Sequence, residues 1–181
     1  LTVCHRSPHL TQVAHLNVID LWLQDTPARL VIVDPFYLAY KARQHDFYTE
    51  FVELAGKVNQ AHPLFCVSKI QAALNDGGKA VNGANVLLLG VSYKAGVADL
   101  REAPSLKILC HLRELGAEVS YHDPLIPTLE EEGMESVELE AAVAAADAVA
   151  IITAHPGIDY ERLVADAALV ENIDFFIKAI E

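Results

Sequence analysis

The spacing of apolar residues changes twice along this chain, and each change marks a different kind of element. From Leu1 to about Ala28 the periodicity is weak, with one apolar patch, Val13 to Leu23, that predicts an ill-defined helix broken by Pro27. After Val33-Asp34-Pro35, the residues Phe36 to Arg43 read as a helix. Phe47, Phe51, Leu54, Ala55, Val58, Phe65, Ile70, Ala73 and Leu74 then recur mostly at three- and four-residue steps, as on one face of a long amphipathic helix. Spanning Thr49 to Leu74, it would measure ~39 Å at 1.5 Å per residue. Pro63 lies inside it and is expected to kink or split it, because proline removes a hydrogen bond and crowds the preceding turn. Asn75-Asp76-Gly77-Gly78 should end it, since glycine accepts the left-handed conformation that closes many helices.

From Ala84 onward the pattern becomes one of short apolar runs separated by helical segments. Asn85 to Leu89, Val119 to Pro124, Ala148 to Thr153 and Leu169 to Phe176 have strand length. Between them lie helical patterns at Ser105 to Leu115, Leu139 to Ala146 and Tyr160 to Ala165. The order is βαβαβαβ. Apolar strands alternating with helices imply a parallel sheet covered on both faces. The fold expected is therefore α/β: a long central helix followed by a Rossmann-like, doubly wound parallel sheet. Ligands of such sheets bind beyond the carboxyl ends of the strands, which points to the loops after Leu89, His122 and Thr153.

Composition narrows the partners. Thirteen basic residues against 25 acidic ones leave a formal charge of −12 in 181 residues, with 52% hydrophobic. That balance argues against nucleic acid or an anionic membrane as partner, since phosphates call for clustered Lys and Arg. No apolar run approaches the roughly 18 residues of a membrane span, and a cytoplasmic location is expected. The first residue is Leu rather than Met, as expected of a processed or truncated start. Cys4, Cys66 and Cys110 form neither a disulfide framework nor a zinc spacing. Cys66 and Cys110 read as small thiols on helices. His5, His9 and His15 lack acidic partners at ligand spacing, so no metal is expected.

Known phosphate motifs fail at the first of the three loops. A dinucleotide fingerprint needs a second glycine two places after Gly90, where this chain has Ser92. Gly90 and Gly96 also lie in the wrong context for a P-loop. The loop does carry Lys94, with Arg101 beyond it, two cations in an acidic chain that would suit a phosphate or diphosphate. Alternatively Lys94 is solvated and Arg101 pairs with Glu102 or Asp99. Asp123 could accept ribose hydroxyls or simply begin a turn with Pro124; the run Glu130 to Glu132 reads as a solvated face. His155 holds a pocket position or a structural one. No nucleophile motif occurs.

Five ordered stretches together resemble one family: Val33-Asp34-Pro35-Phe36-Tyr37-Leu38-Ala39; Glu53-Leu54-Ala55 with Val58-Asn59; Leu89-Gly90-Val91-Ser92-Tyr93-Lys94; Asp99-Leu100-Arg101-Glu102-Ala103-Pro104; and Tyr121-His122-Asp123-Pro124. They are similar to the central and C-terminal parts of the UDP-glucose/GDP-mannose dehydrogenases, nearest to the branch acting on UDP-N-acetylhexosamines. The resemblance covers about Val33 to Ala168. It implies an NAD-dependent family that oxidises C6 of a nucleotide sugar through a thiohemiacetal and a thioester on a cysteine. It also implies a fold of an NAD-binding domain, a long helix that builds the dimer, and a Rossmann-like domain that holds the UDP part. This chain looks like the second and third pieces, divided as an N-terminal segment 1–32, a helical dimerisation region 33–78 and a UDP-sugar-binding domain 79–181.

Carried over through the resemblance, Asp34 matches the aspartate that assists water attack on the thioester, Tyr93 and Lys94 match contacts to the nucleotide sugar, and Arg101 matches an arginine that reaches NAD. The family's Gly-Gly-His-Cys stretch aligns with Pro27-Ala28-Arg29-Leu30, so a leucine that can form no thioester stands at the cysteine's place. Ile173-Asp174-Phe175-Phe176 stands where the family often has Asp-Thr-Arg-Asn. The expectation is a truncated or decayed UDP-sugar dehydrogenase that keeps its UDP-sugar site and a homodimer through residues 47–74, binds no NAD alone and is inactive alone. The alternatives are a dimeric interaction module without a nucleotide role, or half an enzyme completed by another chain.

Overall fold

A computed structural model describes residues 3–4, 34–101, 103–160, 162–163 and 170–172. Outside them lie the expected helix at Val13 to Leu23, the stretch Pro27 to Leu30, Glu102, Ala165 and the segment Ile173 to Phe176. The chain divides into two units, residues 1–15 with 64–181 and residues 16–63.

In the smaller unit, α1 (Asp34–Arg43) is followed by the first part of α2 (Glu50–Asp76). Arg43 Nη2 donates to Glu53 Oε2 at 2.5 Å, and Asp46, with φ of 56°, makes the bend between the helices. The assigned helix α2 runs unbroken through Pro63, contrary to the expected split. Proline costs a helix only its own hydrogen bond and some crowding, about 3 kcal/mol. The turns that follow offset this by burying Cys66, Val67, Ile70, Ala73 and Leu74.

The larger unit is the doubly wound sheet expected. Its strands are β1 (Val3–Cys4), β2 (Asn85–Leu89), β3 (Glu118–His122), β6 (Ala148–Ile151) and β7 (Val170–Asn172), in the order β1-β7-β6-β2-β3. Strands β7, β6, β2 and β3 are parallel, and β1 adds antiparallel at the edge, in the region where only a weak helix was expected. Alternation sorts the side chains onto the two faces. Val86 and Leu88 join Ala148, Ala150 and Ile152 in a core with the C-terminal turns of α2 and with α3 (Pro104–Glu114). Leu87 and Leu89 join Val149, Ile151, Val143 of α4 (Leu139–Ala145) and Leu163 on the other.

The region of the acidic run differs from expectation. Thr128–Leu129 (β4) and Met134–Glu135 (β5) form a small antiparallel hairpin turned at Gly133, whose φ is 62°. Glu132 is not simply solvated: it accepts from Arg113 Nη1 at 3.1 Å beside the half-buried Cys110.

The chain leaves β2 to form β3 on one side and then crosses β2 to reach β6 on the other. Between β2 and β6 the connections diverge, the place where such sheets open a crevice at their carboxyl edge.

Candidate functional site

Three polar residues lie within four residues of the carboxyl ends of three adjacent parallel strands: Ser92 after β2, Asp123 after β3 and His155 after β6. All three are buried. Asp123 Oδ2 accepts the backbone N–H of Val91 at 2.8 Å and of Ser92 at 3.0 Å, and lies 3.1 Å from His155 Nε2. Its other oxygen accepts the Leu125 N–H at 2.8 Å, closing the turn over Pro124. Ser92 Oγ is 2.9 Å from the same His155 Nε2, and Thr153 Oγ1 donates to the Ser92 carbonyl at 2.7 Å. Ser105, at the start of α3, donates from its hydroxyl to the Val91 carbonyl.

The backbone here demands glycine at position 90. Its φ is 73°, and a Cβ would sit 1.9 Å from the carbonyl oxygen of Thr153. Strands β2 and β6 thus meet at their ends too closely for any side chain.

From this buried base the chain rises into a tight hairpin. The Tyr93 N–H donates to the Asp99 carbonyl at 2.7 Å, Lys94 bridges Val97, and the Val97 N–H returns to the Lys94 carbonyl at 3.2 Å. Gly96, with φ of 74°, takes the third position of that turn, where a positive φ is needed. The result displays Lys94 in solvent, with Tyr93 half-buried beside it. Burial and, less strongly, the Asp99 carboxylate push the Tyr93 phenol above its usual pKa, so it remains a hydrogen-bond donor through the neutral range. Arg101 is exposed and forks onto Asp99, Nε at 2.9 Å from Oδ1 and Nη2 at 2.6 Å from Oδ2. That hydrogen-bonded carboxylate raises the guanidinium pKa further.

Residues 87–176 match the model of the UDP-glucose/GDP-mannose dehydrogenase family, UDP binding domain. The chain is 31% identical over 123 residues to UDP-N-acetyl-D-mannosamine dehydrogenase of Pyrococcus horikoshii, a match covering 68% of this chain and 27% of the relative. It is 35% identical over 134 residues to UDP-glucose 6-dehydrogenase of Bacillus subtilis, covering 71% of this chain and 29% of the relative. Its C-terminal part belongs to the UDP-glucose/GDP-mannose dehydrogenase family. Among solved structures, the Pyrococcus horikoshii UDP-D-ManNAc dehydrogenase superposes with a TM-score of 0.58 at 26% identity, over 71% of this chain and 30% of that one. A UDP-glucose dehydrogenase from Pyrobaculum islandicum shares the fold, with a TM-score of 0.63 over 81% of this chain and 34% of that one. The chain therefore spans only about a third of the relatives it matches.

The family uses NAD, yet the loop after β2 does not fit that cofactor. In a dinucleotide fold the amides of this loop face a pyrophosphate. Here the Val91 and Ser92 amides are both taken by the Asp123 carboxylate, and the Ser92 side chain fills the space a fingerprint glycine leaves open. Of the residues the resemblance singles out, Tyr93 and Lys94 share the hairpin with Asp99, which carries Arg101. Asp34 is the first residue of α1, in the other unit, and Leu30 lies outside the described residues. Sequence reasoning weighed Asp123 and His155 one at a time and missed that they close on Ser92. The available signal was their shared position, one to four residues past the ends of three neighbouring strands.

Proposed function

We propose that this chain binds the uridine diphosphate part of a UDP-sugar at the carboxyl edge of β2, with the Lys94 ammonium on a phosphate and the Tyr93 phenol donating to the ligand. The observation that carries this is the hairpin 93–99. It lifts a lysine into solvent at the sheet's ligand-binding edge, in an acidic chain whose residues 87–176 match a UDP-binding domain. Support comes from α3, whose N-terminus follows the same loop, since the positive end of a helix dipole favours an anion. Arg101 keeps the place that the resemblance gives to an NAD contact.

With Leu30 at the position of the family's cysteine, this chain forms no thioester, and by itself it neither binds NAD nor reduces it. Its smaller unit pairs with a second copy of the chain. Phe51, Leu54 and Val58 form a row at helical spacing that is 79%, 56% and 51% exposed, and two such rows related by a two-fold axis would bury each other. Calorimetric titration with UDP and UDP-N-acetylglucosamine tests the binding. Both should give heat, and Lys94→Ala should weaken both about tenfold, as expected for a charge-assisted contact. No heat from either ligand would overturn the assignment in favour of an interaction module without a nucleotide role, for which the exposed row would be the principal feature.

A further inference from the structure

Ser92, His155 and Asp123 are the residue types of a hydrolytic triad, but they are joined in a different way. In a triad the two imidazole nitrogens divide between nucleophile and carboxylate. Here Ser92 Oγ and Asp123 Oδ2 both lie on Nε2, at 2.9 and 3.1 Å, while the Gly96 backbone N–H donates to Nδ1 at 3.3 Å. Ser92 is also buried. A serine sharing one nitrogen with a carboxylate, out of reach of any substrate, is no nucleophile.

The wiring instead assigns every proton. Nδ1 accepts from Gly96, so the imidazole proton sits on Nε2, shared between the Ser92 hydroxyl oxygen and the Asp123 carboxylate. Ser92 Oγ, on the same nitrogen, turns its own hydrogen to the Lys94 carbonyl at 3.3 Å. The imidazole therefore grips the loop at both ends: at Ser92, where it leaves the sheet, and at Gly96, the positive-φ residue of the turn. Tyr93 and Lys94 lie between those two points. The far side of His155 is fixed as well, since its backbone N–H donates to the Tyr160 hydroxyl at 2.8 Å.

We propose that His155 is the positioning residue of the nucleotide-sugar loop: held in its Nε2–H form by Asp123, it clamps Gly96 and so sets where Lys94 and Tyr93 meet the ligand. This rests on the UDP assignment above. It makes the loop after β6 part of the site by way of the Gly96 hydrogen bond.

Two substitutions separate the arms of the clamp. In His155→Gln the amide nitrogen reaches the place of Nε2 and keeps the donor to Asp123, but the acceptor for Gly96 is lost. In His155→Asn the amide oxygen reaches the place of Nδ1 and keeps that acceptor. Amide hydrogen exchange at Gly96 and the Kd for UDP are measured on each. His155→Gln, where it folds, should exchange Gly96 at least tenfold faster and bind UDP about tenfold more weakly, and His155→Asn should recover Gly96 protection and most of the affinity. Wild-type exchange and affinity in a folded His155→Gln, or equal losses in both variants, would overturn the proposal. Should His155→Gln not fold, the imidazole nitrogen shifts of the wild-type chain decide: a proton on Nδ1 overturns the clamp, and one on Nε2 with a protected Gly96 amide sustains it. Absence of UDP binding to the wild-type chain would sink the ligand assignment alone, because Gly96 exchange still reads the clamp without ligand.

Discussion

The two ends of α2 carry the same apolar periodicity and meet opposite fates. Beyond Pro63, Cys66, Val67, Ile70, Ala73 and Leu74 are buried in the core of the larger unit. Before it, Phe51, Leu54 and Val58 stand in solvent although their residue types and spacing would serve as well. A helical stripe records only that something covers it. Whether the cover lies within the chain or on another molecule is decided by what the rest of the chain can supply, and for the C-terminal end of the helix the core of the larger unit supplies it.

That contrast is sharpest for truncations of equivalent leucines. Leu74→Ala should cost about 2–5 kcal/mol of stability, the range for a buried leucine whose cavity relaxes incompletely. Leu54→Ala should change it by no more than ~0.5 kcal/mol, as at an exposed site. Chemical denaturation under conditions that keep the chain monomeric checks both, and equal losses would mean that the N-terminal end is covered from within. The next effect in size is on assembly. The double substitution Phe51→Asp with Leu54→Asp should convert a dimer at micromolar concentration to a monomer by sedimentation, because four charges would be buried across a two-fold contact. An unchanged dimer would place the contact elsewhere, and a wild-type monomer would remove the role proposed for the stripe.

Much of the fold is legible in the sequence because it depends on local pattern. The apolar runs at Asn85–Leu89 and Ala148–Ile151 have the length and composition of doubly covered strands, and the helices between them set the parallel order. Pro63 does not split the helix because the cost of a proline is local while its compensation, the burial of five later side chains, is tertiary. The β4–β5 hairpin is hidden by the acidic run, which occupies its turn. At the candidate site, Lys94, Tyr93 and Arg101 stand out as chemistry in a loop. The buried Ser92–His155–Asp123 cluster does not, since its members are 32 and 63 residues apart and meet only when three strands align. Sequence shows the groups that would face the ligand more readily than the groups that aim them.

The smallest effect separates the two units by their ion pairs. Arg43 with Glu53 in the smaller unit and Lys79 with Asp147 in the larger are about equally exposed at the cationic end. Only Asp147 is also held by the backbone, accepting the Asn85 N–H at 3.0 Å where β2 begins. The hydrogen bond from Lys79, and then that from Asn85, hold its carboxyl below the usual aspartate pKa of 3.8. A pKa lowered in the folded state means that the unfolded chain takes up the proton first as pH falls. The contribution of Asp147 is thus complete above the unfolded value and is lost as pH drops through the folded one. Asp147→Asn should therefore cost less than about 1 kcal/mol at pH 7, with the difference from wild type vanishing in strong acid. Arg43→Ala should leave the denaturation midpoint within error at neutral pH, because its pair, equally exposed at the cation, is not tied to a strand by a backbone hydrogen bond of the kind that Asp147 accepts. A larger loss at Arg43 than at Asp147 would mean that the smaller unit depends on its surface charges more than the larger unit depends on the backbone-anchored pair at the entrance to its central strand.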